Sequence, residues 1–311
     1  MNPEERAAWL AARKKGVGAS EVSAVLGLSP WMTPYQLYLH KRGEIPDAEE
    51  NEAMRWGTRL EGAIAEEYAE RRSMDLQENV TLISPGLMHD LVNPVIFATP
   101  DRIDEKRGIN VQIKTSSHDD GWGEPWTDEV PDYVMVQVQQ EMHVTGCTTT
   151  HIPLLIGGRD FRIYEVARHD ALIGRIVAAI LLFWKQVEDG TPPPVVTLSD
   201  ARLKWPLGKQ GNVQADERVK AAVDKLRELT YQGKLVEQMT EQMRFVVAEA
   251  LGDKDTLVDG TRVLATYKNV DVKESNIVRP AYSYRKMVLK PQPKPDGKAL
   301  ARNPAGHISP N

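Results

Sequence analysis

Asp101 and Lys114 are the residues whose types and spacing first suggest chemistry. Thr99-Pro100-Asp101 sets an acid at the end of one apolar run, and Gln112-Ile113-Lys114 closes the next. In an extended strand residues i and i+2 share a face, so Gln112 and Lys114 point to one side and could meet whatever Asp101 holds. Hard divalent cations such as Mg²⁺ take carboxylate oxygens in near-octahedral geometry. A lysine beside such a cation can orient or deprotonate a water and stabilise charge on a phosphate. That combination suits hydrolysis of a phosphodiester without a covalent intermediate. On these residues alone, a Pro-Asp turn and a lysine at a strand end are the commoner reading.

Other chemistries find less support. The seven histidines show no H-E-x-x-H spacing, and Gly157-Gly158 lacks the Lys-Ser/Thr of a phosphate-binding loop. The single cysteine, Cys147, excludes an intramolecular disulfide and a cysteine-rich zinc cage, and reads as a buried core thiol. With a net charge of -5, contact with nucleic acid must come from a local patch and not from bulk charge. The longest apolar run, Ile176 to Trp184, is too short to span a bilayer, and the N-terminus lacks an apolar signal segment. The expectation is a soluble, cytoplasmic chain without a membrane partner.

The elements that must position these residues read as follows. Residues 3 to 42 suggest helices joined by short turns, broken at Gly16 and Gly18, with Ser20 as one helix cap and Thr33-Pro34 starting another. Trp56, Leu60, Ile64 and Tyr68 recur every four residues and predict one buried helical stripe. Strands are expected at 80–83, 94–99 and 109–114, a helix at 134–144, a hairpin of 151–156 with 161–166, and a helix from 170 to 188. This order predicts an α/β or α+β fold around one mixed sheet. Asp189-Gly190-Thr191-Pro192-Pro193-Pro194 marks the boundary of a domain spanning 1–190. Beyond it, 196–290 reads as a helical arm that could bend near Gly233, followed by a small hairpin, and the proline-rich 291–311 as a disordered tail.

Trp9-x-x-x-Arg13, Gly18-Ala19-Ser20-Glu21, Trp56-Gly57-x-x-Leu60-Glu61, Thr99-Pro100-Asp101, Ile113-Lys114 and Tyr133-Val134-Met135-Val136-Gln137-Val138-Gln139 occur in that order. In order and spacing, residues 5 to 188 resemble the phage-type alkaline exonucleases, the YqaJ viral-recombinase family that includes lambda exonuclease. That family lies within the PD-(D/E)xK nuclease superfamily. The resemblance implies a restriction-endonuclease-like core, a mixed central sheet flanked by helices, with a C-terminal helical and hairpin appendage. It also implies an Mg²⁺-dependent deoxyribonuclease, with Mn²⁺ as a possible substitute, that degrades the 5′-ended strand of linear duplex DNA. The resulting 3′ tail would pass to a single-strand annealing protein in the bacterial host of a phage or prophage.

Under this resemblance Asp101, Glu61, the residue at 112 and the Ile113 carbonyl hold the metal. Lys114 sits by the attacking water, Gln137 near the scissile phosphate, Arg13 and Ser20 at the 5′ phosphate, and Thr99 in the phosphate pocket. A homotrimeric ring around DNA would draw its lining from the basic residues of 12–15, 41–42 and 102–107. The departure is Gln112, where the family has a glutamate. One anion fewer implies weaker metal binding and an inactivated or weakened nuclease. An endonuclease on the same core and a non-catalytic DNA-end-binding module are the alternatives.

Overall fold

The computed structural model describes residues 11–47 and 50–269. Trp9 of the N-terminal signature, the end of the expected arm beyond 269 and the tail 291–311 lie outside the described residues. The chain divides into two compact units, residues 1–204 and 205–311.

The first unit is mixed α/β. In chain order it holds β1 (Val17–Gly18), α1 (Val22–Val25), α2 (Pro34–Lys41), α3 (Glu52–Leu76), β2 (Met88–His89), β3 (Ile96–Ala98), β4 (Arg102–Asp104), β5 (Ile109–Val111) and β6 (Lys114–Ser116). It continues with α4 (Asp132–Thr145), β7 (Thr149–Ile156), β8 (Asp160–Ala167), α5 (Asp170–Asp189) and α6 (Leu198–Lys204). The main sheet runs β4-β5-β7-β6, with β8 also on β7. β5 and β6 lie parallel to β7, whereas β4 and β8 are antiparallel to their neighbours.

Alternation along the strands sends side chains to two helical layers. Ile152, Leu154 and Ile156 of β7 pack with Val134, Val138 and Met142 of α4 on one face. On the other, Val111, Ile113 and Ile163 meet Ile64, Ala65 and Tyr68 of α3. Because Val111 and Ile113 face α3, their neighbours Asn110, Gln112 and Lys114 face α4. A third core joins Val17, Leu37 and Ile96 to Ile176, Ile180 and Phe183 of α5.

Several expectations change. There is not one sheet: β3 leaves the main sheet for a small one of order β1-β3-β2. The predicted N-terminal helices thus contain a strand, Val17–Gly18, lying parallel to Ile96–Phe97. Glycine permits this approach, since a Cβ on Gly16 would fall 2.2 Å from Val95 O and one on Gly18 2.8 Å from the Phe97 ring. Ser20 is not a helix cap; it lies inside the turn Ala19–Glu21, whose capping position is Gly18. Thr33 does cap α2, accepting from Gln36 N. Trp56 is 53% exposed, because burial along α3 begins only at Ile64, where the helix covers Ile113. Residues 80–83 supply a single bridge, Ile83 to Ile103, in place of a strand. The hairpin pairs from Thr149↔Ala167 to Ile156↔Asp160.

In the second unit, α7 (Glu217–Leu251) runs unbroken through Gly233. One glycine costs about 1 kcal/mol against alanine, too little to break so long a helix. It is followed by the antiparallel pair β9 (Thr256–Asp259) and β10 (Arg262–Thr266). Among the described residues, no helix is long and apolar enough to cross a membrane.

Candidate active site

The edge between β5 and β6 is where the strand predicted over 109–114 comes apart. Gln112 N still donates to His151 O of β7 at 3.0 Å. Successive amides point to opposite sides of a strand, so Ile113 N faces the β4 side. There it meets a side chain instead of a backbone carbonyl, donating to Asp101 Oδ2 at 2.8 Å. Gln112 Nε2 donates to the same oxygen, also at 2.8 Å. The interruption of the ladder and the seating of Asp101 are therefore one event.

Lys114 faces α4, and its Nζ donates to Gln137 Oε1 at 2.9 Å. Gln137 Nε2 donates in turn to Glu141 Oε1 at 2.8 Å, and Asn110 Nδ2 donates to Glu141 Oε2 at 2.8 Å. Glu141 was not expected from the sequence. Its signal is the four-residue step from Gln137, which puts both on one helical face. Glu61 reaches the cluster's rim and accepts from Arg102 Nη1 at 2.6 Å, while the same guanidinium donates to Asp101 O at 2.5 Å. Thr99 lies between β3 and Asp101, and its buried Oγ1 has no hydrogen-bond partner among the described residues.

Arg13 and Ser20 form a second cluster. Arg13 Nη2 donates to Ser20 Oγ at 2.9 Å and lies 3.6 Å from Glu21 Oε1. Lys41 Nζ, whose side chain is fully buried, donates to both Glu21 oxygens and to Arg13 O. This burial removes Lys41 from any DNA-facing lining. The two clusters are connected through β1 and β3, where Gln140 Nε2 donates to Val17 O and Phe97 O, each at 2.9 Å.

Residues 8–148, which hold both clusters, match the model of the YqaJ-like viral recombinase domain. That stretch is thus similar to a YqaJ-like domain. The Bacillus subtilis strain 168 protein YqaJ is 33% identical over 201 residues, which is 63% of this chain. The match spans 61% of that relative's length. Among solved structures, an alkaline exonuclease from Laribacter hongkongensis is 22% identical with a TM-score of 0.48, covering 59% of this chain and 93% of that one. A phage-related exonuclease from Haemophilus somnus is 15% identical with a TM-score of 0.41, covering 56% and 96%.

Electrostatics around the two clusters follow from burial. Desolvation pushes the Asp101 carboxyl up to about 6, despite the opposing pull of Lys114. Glu141 is raised to about 7, first by burial and then by Asp101. Gln112 Oε1 is buried and has no donor among the described residues, as is Asn110 Oδ1 on the same strand face. An acceptor without a donor is a costly group to bury, and a cation would satisfy it. Among the described residues no three His, Cys, Asp or Glu side chains group as a ready-made metal cage. Amide oxygens, backbone oxygens and waters would therefore complete any coordination, and oxygen donors of this kind fit Mg²⁺ or Mn²⁺ better than a softer metal.

Proposed function

We propose that this chain is a divalent-metal-dependent exonuclease that acts on the ends of linear duplex DNA. The observation that carries this reading is the joining of Asp101, Gln112, Ile113, Lys114 and Gln137 in one cluster of the stretch similar to a YqaJ-like domain. The products would be 5′ nucleotides and a 3′ single-stranded tail, for a single-strand annealing protein in phage-type recombination within a bacterial cytoplasm. A homotrimer encircling the duplex would keep the chain on its substrate. Arg13 and Lys14, with Arg102 and its neighbours, remain for the lining once Lys41 is set aside.

Asp101, the Gln112 amide oxygen, the Ile113 carbonyl and Glu61 would hold Mg²⁺ or Mn²⁺. The ion would activate a water and neutralise charge growing on the phosphate. Lys114, steadied by Gln137, places its ammonium beside the attacking water and the phosphoryl oxygens. Thr99 offers a hydroxyl to the same phosphate. Arg13 and Ser20 would grip the 5′ terminal phosphate, for which a guanidinium is suited by its fixed fork of donors.

Gln112 keeps the shape of the expected glutamate but not its charge, so we infer a weakened grip on the metal. It also favours a second reading, a DNA-end-binding module without cleavage. Digestion of 5′-labelled linear duplex and closed circles in Mg²⁺, by this chain and by Gln112→Glu, decides between them. The exonuclease reading expects slow release by the native chain and release at least about tenfold faster by Gln112→Glu, since tenfold needs only about 1.4 kcal/mol of transition-state stabilisation. Closed circles should stay intact. Retained end binding with no release by either form, in Mg²⁺ or Mn²⁺, would establish the binding module, and cut circles would establish an endonuclease.

A further inference from the structure

Glu141 is fully buried on α4, and none of the roles above uses it. Its two oxygens accept from two neutral amides, Gln137 Nε2 and Asn110 Nδ2, each at 2.8 Å. A chain of contacts thus runs from Asn110 through Glu141 and Gln137 to Lys114 Nζ. It begins and ends on the strand face that holds Gln112 between them. With Nε2 engaged by Glu141, the Gln137 amide can only turn its oxygen toward Lys114.

A buried carboxylate held by neutral amides alone is an expensive way to stabilise a fold. A neutral amide could take its place, because Asn110 Oδ1 stands ready as an acceptor without a donor among the described residues. The acid therefore needs a reason other than packing. Position 112 supplies one, since it carries an uncharged side chain beside Asp101 where a divalent cation calls for another anion.

We propose that Glu141 is the second acid of this site, contributing from α4 the negative charge that Gln112 lacks and positioning Lys114 through Gln137. The cleavage part of this inference rests on the exonuclease reading, while the charge part concerns metal binding alone. If it holds, positions 112 and 141 share one task, and each matters most when the other is neutral.

Four chains test this: native, Glu141→Gln, Gln112→Glu and the double variant. Mn²⁺ uptake is read from loss of the free-ion electron paramagnetic resonance signal, and thermal midpoints are taken without metal. In the native background Glu141→Gln should weaken Mn²⁺ binding about tenfold or more, the usual cost of losing a supporting group around a metal. The metal-free midpoint should hold or rise, because a desolvated charge has been removed. In the Gln112→Glu background the same change should weaken binding less than about threefold. Glu141→Asp keeps the charge and should keep Mn²⁺ affinity within about threefold of native, even where its shorter reach lowers the midpoint.

Equal losses in both backgrounds, or a lowered midpoint with unchanged Mn²⁺ affinity, would make Glu141 a structural residue and overturn the proposal. So would Glu141→Asp losing as much affinity as Glu141→Gln. Duplex digestion separates this failure from that of the wider reading. If Gln112→Glu releases nucleotides while Glu141→Gln changes nothing, the exonuclease stands and this inference falls. If none of the four binds Mn²⁺ or cuts DNA, both fall.

Discussion

His151 and Gln112 lie on opposite faces of the main sheet and show two ways of burying a polar side chain. Gln112 leaves its oxygen without a donor among the described residues. His151 is only 2% exposed, and its Nδ1 shares a 2.7 Å hydrogen bond with the Tyr68 hydroxyl. Burial lowers its imidazole to about 4 from the ordinary 6.5, outweighing the upward pull of Glu165. Between those values the unfolded chain binds a proton that the folded chain does not. Stability should therefore fall as the pH drops from about 6.5 toward 4, with this contribution flat above 6.5. Thermal midpoints across that range should show the decline. His151→Gln, which still offers the Tyr68 hydroxyl a partner, should flatten it at a cost of a few degrees. An unchanged slope in that variant would assign the decline to another group. The partners of Asp101 and Lys114 were legible in the sequence to different degrees. Residues 112 and 114 share a face by strand alternation alone, whereas Glu141 meets them only after a separate helix has packed across the sheet.

At the level of elements, the strand pattern predicted the main sheet well, because alternating apolar residues in 151–156 and 161–166 leave one register that buries both faces. The break at Gln112–Ile113 was not legible, since it depends on Asp101 reaching across from the chain before β4. Nor was β1, a two-residue strand whose only requirement is that glycine allow it to lie close to β3. Beside that strand, Lys41 ties α2 to the turn Ala19–Glu21 and to Arg13 O. Its ammonium has no exposure, so removing it leaves the Glu21 carboxylate, in a poorly hydrated place, with only Arg13 and the Gly18 amide beside it. Lys41→Met should therefore cost about 3 kcal/mol in urea unfolding, the low end for a broken buried pair. Adding Glu21→Gln should recover part of that loss, because the poorly compensated charge disappears. Two losses that simply add would mean that the pair is not coupled and that Arg13 is held by other contacts.

For the whole molecule, the proline-rich run 192–194 is a chemical boundary, but the compact unit extends to 204. The reason is Asp200, a fully buried carboxylate on α6. It accepts from Thr33 Oγ1 at 2.8 Å, from Val196 N at 3.0 Å and from Thr197 N at 3.1 Å. These bonds, led against by burial but prevailing over it, hold its carboxyl below the usual range. Every buried core cluster draws its residues from 17–195. Among the described residues from 205 onward, Leu251 alone is buried. A chain ending at Lys204 should thus melt cooperatively within a few degrees of the full chain and digest linear duplex within about threefold of its rate. A chain ending at Pro194 loses the two bonds that tie this segment to α2, Thr33 Oγ1 to Asp200 and Gln36 Nε2 to Ser199 Oγ, and about 1–2 kcal/mol, at roughly 1 kcal/mol net for each. For a chain of this size that is a fall of about 2–8 °C. If the chain ending at Lys204 folds but does not cut, light scattering beside the assay separates the causes. A fall in mass would place assembly in 205–311, and an unchanged mass would mean that those residues grip DNA directly.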